Sequence, residues 1–322
     1  MTDLGRRALL AGLGAMAATP AAAFVRDADR VADMAEAGRR FLAVAPSTAR
    51  FAVESGEATR WHWTNTRLFP RNGASLAAMG AQQRRAAMAL LDASASAEGA
   101  SRARQIMALQ SLIRGDPLNF FVSVFGEPGD PLWGWRLEGH HLSLHHRVAG
   151  DAVSAAPFFL GARPNRGADG RRPLGAIQDA AHRFLLDMPP EVRRQAQVST
   201  QIRGFMRHAT GNAVRATPPP PEGVPVGALG AAGETAAQEI AAAYLASLPE
   251  RAAARALERI GEAGWETVRF SWRGPAAVDE RHYWRLQGPT FVLEWDDTRH
   301  GGDHIHSVWR DYTADFDPTA AL

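Results

Sequence analysis

The chain has 322 residues with no cysteine and no lysine, so its 36 basic residues are all arginine, set against 34 acidic ones for a net charge of +2. This composition excludes disulfide frameworks, thiolate metal sites, cysteine nucleophiles and lysine-based catalysis. A near-zero net charge without a basic run also excludes an electrostatic nucleic-acid partner.

In chain order, the first segment reads as an address. Arg6-Arg7 precede a short apolar run, Ala8 to Ala18, and then Pro20-Ala21-Ala22-Ala23. This is the order of a twin-arginine signal peptide spanning residues 1–23, with an ordinary secretory signal as the alternative. The run is too short for a mature membrane span. The expectation is a periplasmic or secreted protein with no stable membrane insertion once the signal is removed.

After a helical start around Phe41-Leu42, the Ala-rich stretch Gly73 to Arg114 carries Met79, Met88, Leu90, Leu91, Ile106, Met107 and Leu109 at helical spacing. Short alternating runs then predict strands at Asn119–Phe125, Trp133–Val148 and Ala152–Phe159. Arg163 to Arg172 reads as an exposed loop. Phe184-Leu185 before Pro189-Pro190 repeats the helical start, and Ala216 to Gly230, with four consecutive prolines from Pro218 to Pro221, reads as a linker. Gly223 to Ile260 is again helical. Trp265–Trp272, His282–Trp295 and His304–Arg310 complete the predicted strands.

The second half echoes the first. Trp135-Arg136-Leu137-Glu138-Gly139 matches Trp284-Arg285-Leu286-Gln287-Gly288, 149 residues on, and the pairing sets His145 against Glu294. Two units follow, 24–165 and 166–322, each helical first and β-rich after, joined in one compact pseudo-symmetric body. Consecutive strands with short connections pair antiparallel, and the helices cover them, giving an α+β class.

Histidines carry the chemistry. His140, His141, His145 and His146 fall within seven residues, and His300, His304 and His306 form a second cluster. Alternation along a strand puts His304 and His306 on one face. Read as one strand, the earlier run puts His141, Ser143 and His145 on one face, with Glu138, His140, Leu142 and Leu144 on the other. Imidazoles from both clusters can hold a transition metal, with zinc first and copper or iron as alternatives. The metal ligands expected are His140, His141, His304 and His306. Glu138 or Glu294 would serve as general base or third ligand, with Arg136 or Arg310 polarising the substrate. His62 reads as part of an aromatic cluster. His146, His182, His208 and His282 read as surface residues.

The runs Trp133-Gly-Trp-Arg-Leu-Glu-Gly-His-His-Leu-Ser-Leu144, Tyr283-Trp-Arg-Leu-Gln-Gly-Pro-Thr290 and His304-Ile-His-Ser-Val-Trp-Arg-Asp311 resemble the DUF3500 family of uncharacterised bacterial proteins. The resemblance covers nearly all of the mature chain and implies no established activity. An asparagine stands in the family pattern where this chain has His145, which favours the other four histidines as ligands. The leading expectation is an exported metal-dependent enzyme, leaning toward hydrolysis of a small molecule. A copper or iron oxidoreductase and a non-catalytic periplasmic metal- or ligand-binding protein are the alternatives. An enzyme should place an open coordination position beside a cleft carrying Arg and Glu, whereas a carrier should not.

Overall fold

In the computed structural model, residues 25–202, 216–277 and 280–316 are described. The signal-peptide reading and His208 lie outside them. Among the described residues, fourteen strands form one sheet. They are β1 (Val25–Arg26), β2 (Arg50–Phe51), β3 (Ala74–Ser75), β4 (Phe120–Phe125), β5 (Leu132–Gly139), β6 (Leu142–Ala149), β7 (Ala152–Ser154), β8 (Phe158–Ala162), β9 (Gln197–Ser199), β10 (Val224–Pro225), β11 (Arg269–Arg273), β12 (His282–Gln287), β13 (Phe291–Asp297) and β14 (Ile305–Asp311). The helices are α1 (Ala28–Leu42), α2 (Ala81–Ser94), α3 (Ala97–Leu109), α4 (Gly175–Asp187), α5 (Pro190–Ala196), α6 (Gly230–Leu245) and α7 (Glu250–Ala263). Their starts follow local chemistry. Asp27 caps α1 by accepting from the Arg30 N–H, Ser96 caps α3 through Gly99, and Pro190 opens α5.

The main path of the sheet runs β10-β11-β12-β13-β14-β8-β6-β5-β4-β2. Only the β2–β4 and β9–β11 pairs are parallel. Strand β8 is the seam. It pairs with β14 on one side and β6 on the other, so the two β-rich halves share a continuous sheet.

Residues opposite one another across a ladder share a face. One face carries Trp135, Leu137, Leu144, Leu160, Leu293 and Trp309, and it merges with Leu90, Ile106, Ile177 and Ile240 of the helices into the main core. Each large apolar side chain buried there contributes about 1.5–3 kcal/mol. The opposite face is also buried but polar. Glu138, Ser143, Phe159, Val308, Glu294, Arg285 and Ser271 lie in one row across seven strands. Segments around Trp61 and Phe316 cover this face with a second, smaller apolar cluster. Arg285 and Gln287 donate to the carbonyls of Pro220 and Pro219 there.

Several expectations need correcting. The run Trp133–Val148 is two strands, because His140-His141 forms a two-residue turn between the paired Gly139 and Leu142. The turn reverses the parity, so Glu138 shares a face with Ser143 and His145 instead of opposing them. His282–Trp295 is likewise a hairpin. The strand expected from Trp265 begins at Arg269, after a short 3-10 turn. His146, His182 and His282 are buried, because each ring packs against a tryptophan: His146 on Trp135, and the other two on Trp272.

Candidate metal centre

The β5–β6 turn presents its two histidines to the seam strand. His141 adopts a φ of 72°, a left-handed conformation costly for a residue with a Cβ. Its backbone is held on both sides. The N–H donates to the Trp63 carbonyl at 2.9 Å, and the carbonyl accepts from the Gly161 N–H at 2.7 Å. Gly161 is required by this approach. A Cβ there would lie 3.2 Å from two atoms of the His141 side chain and 2.8 Å from the Ile305 carbonyl oxygen. On the other side of β8, Gly161 pairs with His306. The loop before β14 also turns through positive φ at His300, Gly301 and Gly302. It delivers His304, whose N–H donates to the buried Asp297 at 3.0 Å.

Three imidazoles converge as a result. One ligand nitrogen from each of His140, His141 and His304 lies within 4.8 Å of the others. The Nε2 atoms of His141 and His304 are 2.8 Å apart. His140 stacks on His141 with ring centres at 3.7 Å. His306 packs against both His304 and His141, at 4.6 and 5.2 Å between ring centres, but stands outside the converging three. The structure thus gathers three of the four expected ligands and places the fourth beside them.

The outer nitrogens are oriented. His140 Nδ1 meets Gln110 Oε1 at 2.9 Å, while the Gln110 amide donates to the His140 carbonyl at 3.3 Å. A carbonyl oxygen only accepts, so Nδ1 carries the proton and Nε2 keeps its lone pair for a metal. His304 Nδ1 meets His300 Nδ1 at 3.0 Å. His141 Nδ1 is buried without a partner. Burial holds all of these rings in the neutral, ligating form. His140 is lowered to about 4 and His304 to about 3, first by burial and then by nearby positive charge. His141 and His306 are pushed well below their ordinary value, again chiefly by burial.

The residues read as catalytic lie elsewhere on the polar face. Glu138 is buried between two guanidinium groups, Arg136 at 2.8 Å and Arg71 at 3.5 Å, and accepts from the His62 N–H. Arg136 also donates to the carbonyls of Glu57 and Arg60. Glu294 accepts from the Tyr283 hydroxyl at 2.6 Å. Arg310 pairs with Asp315 at 2.5 Å and lies over the Trp61 ring. Neither Glu138 nor Glu294 joins the histidine group. His145 turns away as well, bonding to Ser143 at 2.9 Å. His62 is stacked between Trp63 and Phe69, as the aromatic reading expects.

Gln110 and Gly161 were not legible in the sequence. A glutamine ending a helix and a glycine inside an apolar strand carry no signal of their own. Arg163 was read only as the start of an exposed loop, but it is half-buried at the end of β8.

The comparisons agree with the sequence pattern. The family model described as a protein of unknown function, DUF3500, matches residues 27–318. This chain belongs to the DUF3500 family. No curated protein and no solved structure matches it. The DUF3500 match covers both histidine clusters, so both halves of the candidate centre lie within the family's own domain. Among the described residues, no helix is long and apolar enough to cross a membrane.

Proposed function

We propose that this DUF3500 protein is an exported, metal-dependent hydrolase acting on a small molecule, with one zinc ion held by His140, His141 and His304. The observation that carries the reading is the convergence of three imidazoles from segments 163 residues apart in the chain. Zinc bonds imidazole nitrogen at about 2.0–2.1 Å, so tetrahedral ligands stand about 3.4 Å apart. That value falls between the 2.8 Å His141–His304 separation and the 4.8 Å outer span, so small ring rotations suffice. The unpartnered His141 Nδ1 and the shared proton between two Nε2 atoms are what a ligand set looks like before its ion is counted.

Three protein ligands leave a fourth position for water, and zinc lowers the pKa of such a water to about 7. A cleft of about 580 Å³ is lined by Thr200, Gln201, Glu280, Arg281 and Gly301, the last being the residue after His300. Its size suits a small molecule. Export follows from Arg6-Arg7 and the apolar run behind them. We also read the two halves as duplicates, since Arg136 faces His145 and Arg285 faces Glu294 in the same hairpin register.

The test is metal analysis of the purified protein. About one zinc per chain is expected, with loss in a His141→Ala/His304→Ala variant whose circular dichroism is unchanged. A folded wild type that takes up no metal when offered zinc, copper or iron overturns the proposal.

A further inference from the structure

Among the described residues, one guanidinium group beside the centre makes no hydrogen bond or ion pair. Arg163 follows β8 directly. The last pair of the β8–β14 ladder is Ile305↔Ala162, so Arg163 and His304 are the residues that flank it at the open end of the seam. Two residues before Arg163, Gly161 pairs with His306 and lies against the His141 side chain, so the chain enters Arg163 directly from the histidine group. The next residues are fastened, since the Asn165 N–H donates to Asp303 at 2.6 Å, so the arginine leaves from a fixed point. Its charge is felt at His140, His141, His300 and His304 together, which agrees with that placement.

The nearby charges do not neutralise it. Arg299 is attracted by Asp296 and repelled by Arg163. Asp303 accepts from the Asn165 backbone, and Asp297 accepts from the His304 N–H. Arg163 itself makes no hydrogen bond or ion pair among the described residues. A half-buried guanidinium beside these imidazoles has five donors to offer and, among the described residues, no hydrogen-bond acceptor that takes them. Its planar fork matches a two-oxygen acceptor.

We propose that Arg163 receives an oxyanion group of the substrate, a carboxylate or a phosphate, and positions it next to the metal. The substrate class is then a small anionic molecule. This deepens the metal-centre reading and rests on it.

The experiment is calorimetric titration of the zinc-loaded full chain with inorganic phosphate and, separately, with acetate. Arg163→Ala and Arg163→Lys are measured in parallel, with zinc content and thermal melting as controls. Saturable binding of at least one anion is expected in the wild type. Arg163→Ala should weaken it at least tenfold at unchanged zinc content, and Arg163→Lys should fall between. The anion that binds more tightly identifies the group. Equal affinity in Arg163→Ala, or no binding of either anion to the zinc-loaded wild type, overturns the proposal. If the wild type holds no zinc, the metal reading fails separately. The same titration of the metal-free chain then decides the arginine's role, with Arg163-dependent binding sustaining it and its absence ending it.

Discussion

His141 and His304 are 163 residues apart in the chain, yet their Nε2 atoms lie 2.8 Å apart. Two neutral imidazoles at that distance can hydrogen-bond through one proton, which an ion bound at the proposed site would replace. Removing either ring should therefore abolish metal binding with little cost to the fold, because neither anchors the apolar core. We expect His304→Ala to reduce bound zinc at least a hundredfold in affinity while the denaturation midpoint of the metal-free protein changes little. Inductively coupled plasma mass spectrometry with parallel urea melts checks this. Unchanged stoichiometry in His304→Ala would place the ion elsewhere.

Gln110 makes a graded prediction. It holds His140 at both the ring and the backbone, and it is 3% exposed. Loss of such an orienting partner costs about 10–100-fold in metal affinity. Gln110→Ala should therefore bind zinc more weakly by that factor but with the same stoichiometry. Competition with a chromophoric chelator reads the difference. A variant with wild-type affinity would show that the turn alone fixes His140.

Glu138 separates a structural role from a catalytic one. Its carboxylate lies between Arg136 and Arg71, and all three are nearly or wholly buried. Removing one partner from a buried ion cluster leaves uncompensated charge and costs about 3–5 kcal/mol. Glu138→Ala should lower the urea midpoint accordingly. Retained stability in the variant would return Glu138 to the list of possible bases.

How much of this was readable beforehand depends on what each residue's meaning requires. The α+β class and the strand segments followed from alternation, because a sheet buried on one apolar face repeats every two residues. The importance of His140, His141 and His304 followed from clustering. The failure at Trp133–Val148 came from the turn, since nothing in Gly-His-His-Leu resembles the Asn-Gly or Asp-Gly pairs that usually mark a two-residue hairpin. That single reversal moved Glu138 to the face it shares with Ser143. Salt bridges for Arg136 and Arg310 are the plain reading of their sequence, and both form locally, with Glu138 two residues on and Asp315 five residues on; only Arg71 meets Glu138 through tertiary folding.

Acid should unfold the metal-free protein early. Burial lowers His146 to about 4 and His282 to about 3, from an ordinary value near 6.5. The unfolded chain takes up these protons first. The stability they contribute is therefore complete above about pH 6.5 and declines as pH falls toward 4 and 3. Each group supplies a slope of up to about 1.4 kcal/mol per pH unit. Urea midpoints measured from pH 7 to pH 4 with a chelator present should fall steadily, and His146→Gln should flatten the decline. A midpoint independent of pH across that window would mean that these rings accept protons in place.

Gly161 links the seam strand to the histidine group, and its replacement tests the geometry without touching a proposed ligand. A Cβ at this position meets the His141 Cβ and Cδ2 at 3.2 Å and the Ile305 carbonyl oxygen at 2.8 Å. The turn is already strained at His141, so the ring has to yield before the paired backbone of β8 and β14 does. Gly161→Ala should therefore displace His141 from His304 and weaken zinc binding about tenfold or more. A cost of about 1–3 kcal/mol in stability should accompany it, as for overpacking in a close-packed interior. Chelator competition and urea melts on the same preparation separate the two effects. A variant that loses stability but keeps full zinc affinity would show that His141 does not depend on the space Gly161 leaves, and would remove the seam strand from the description of the centre.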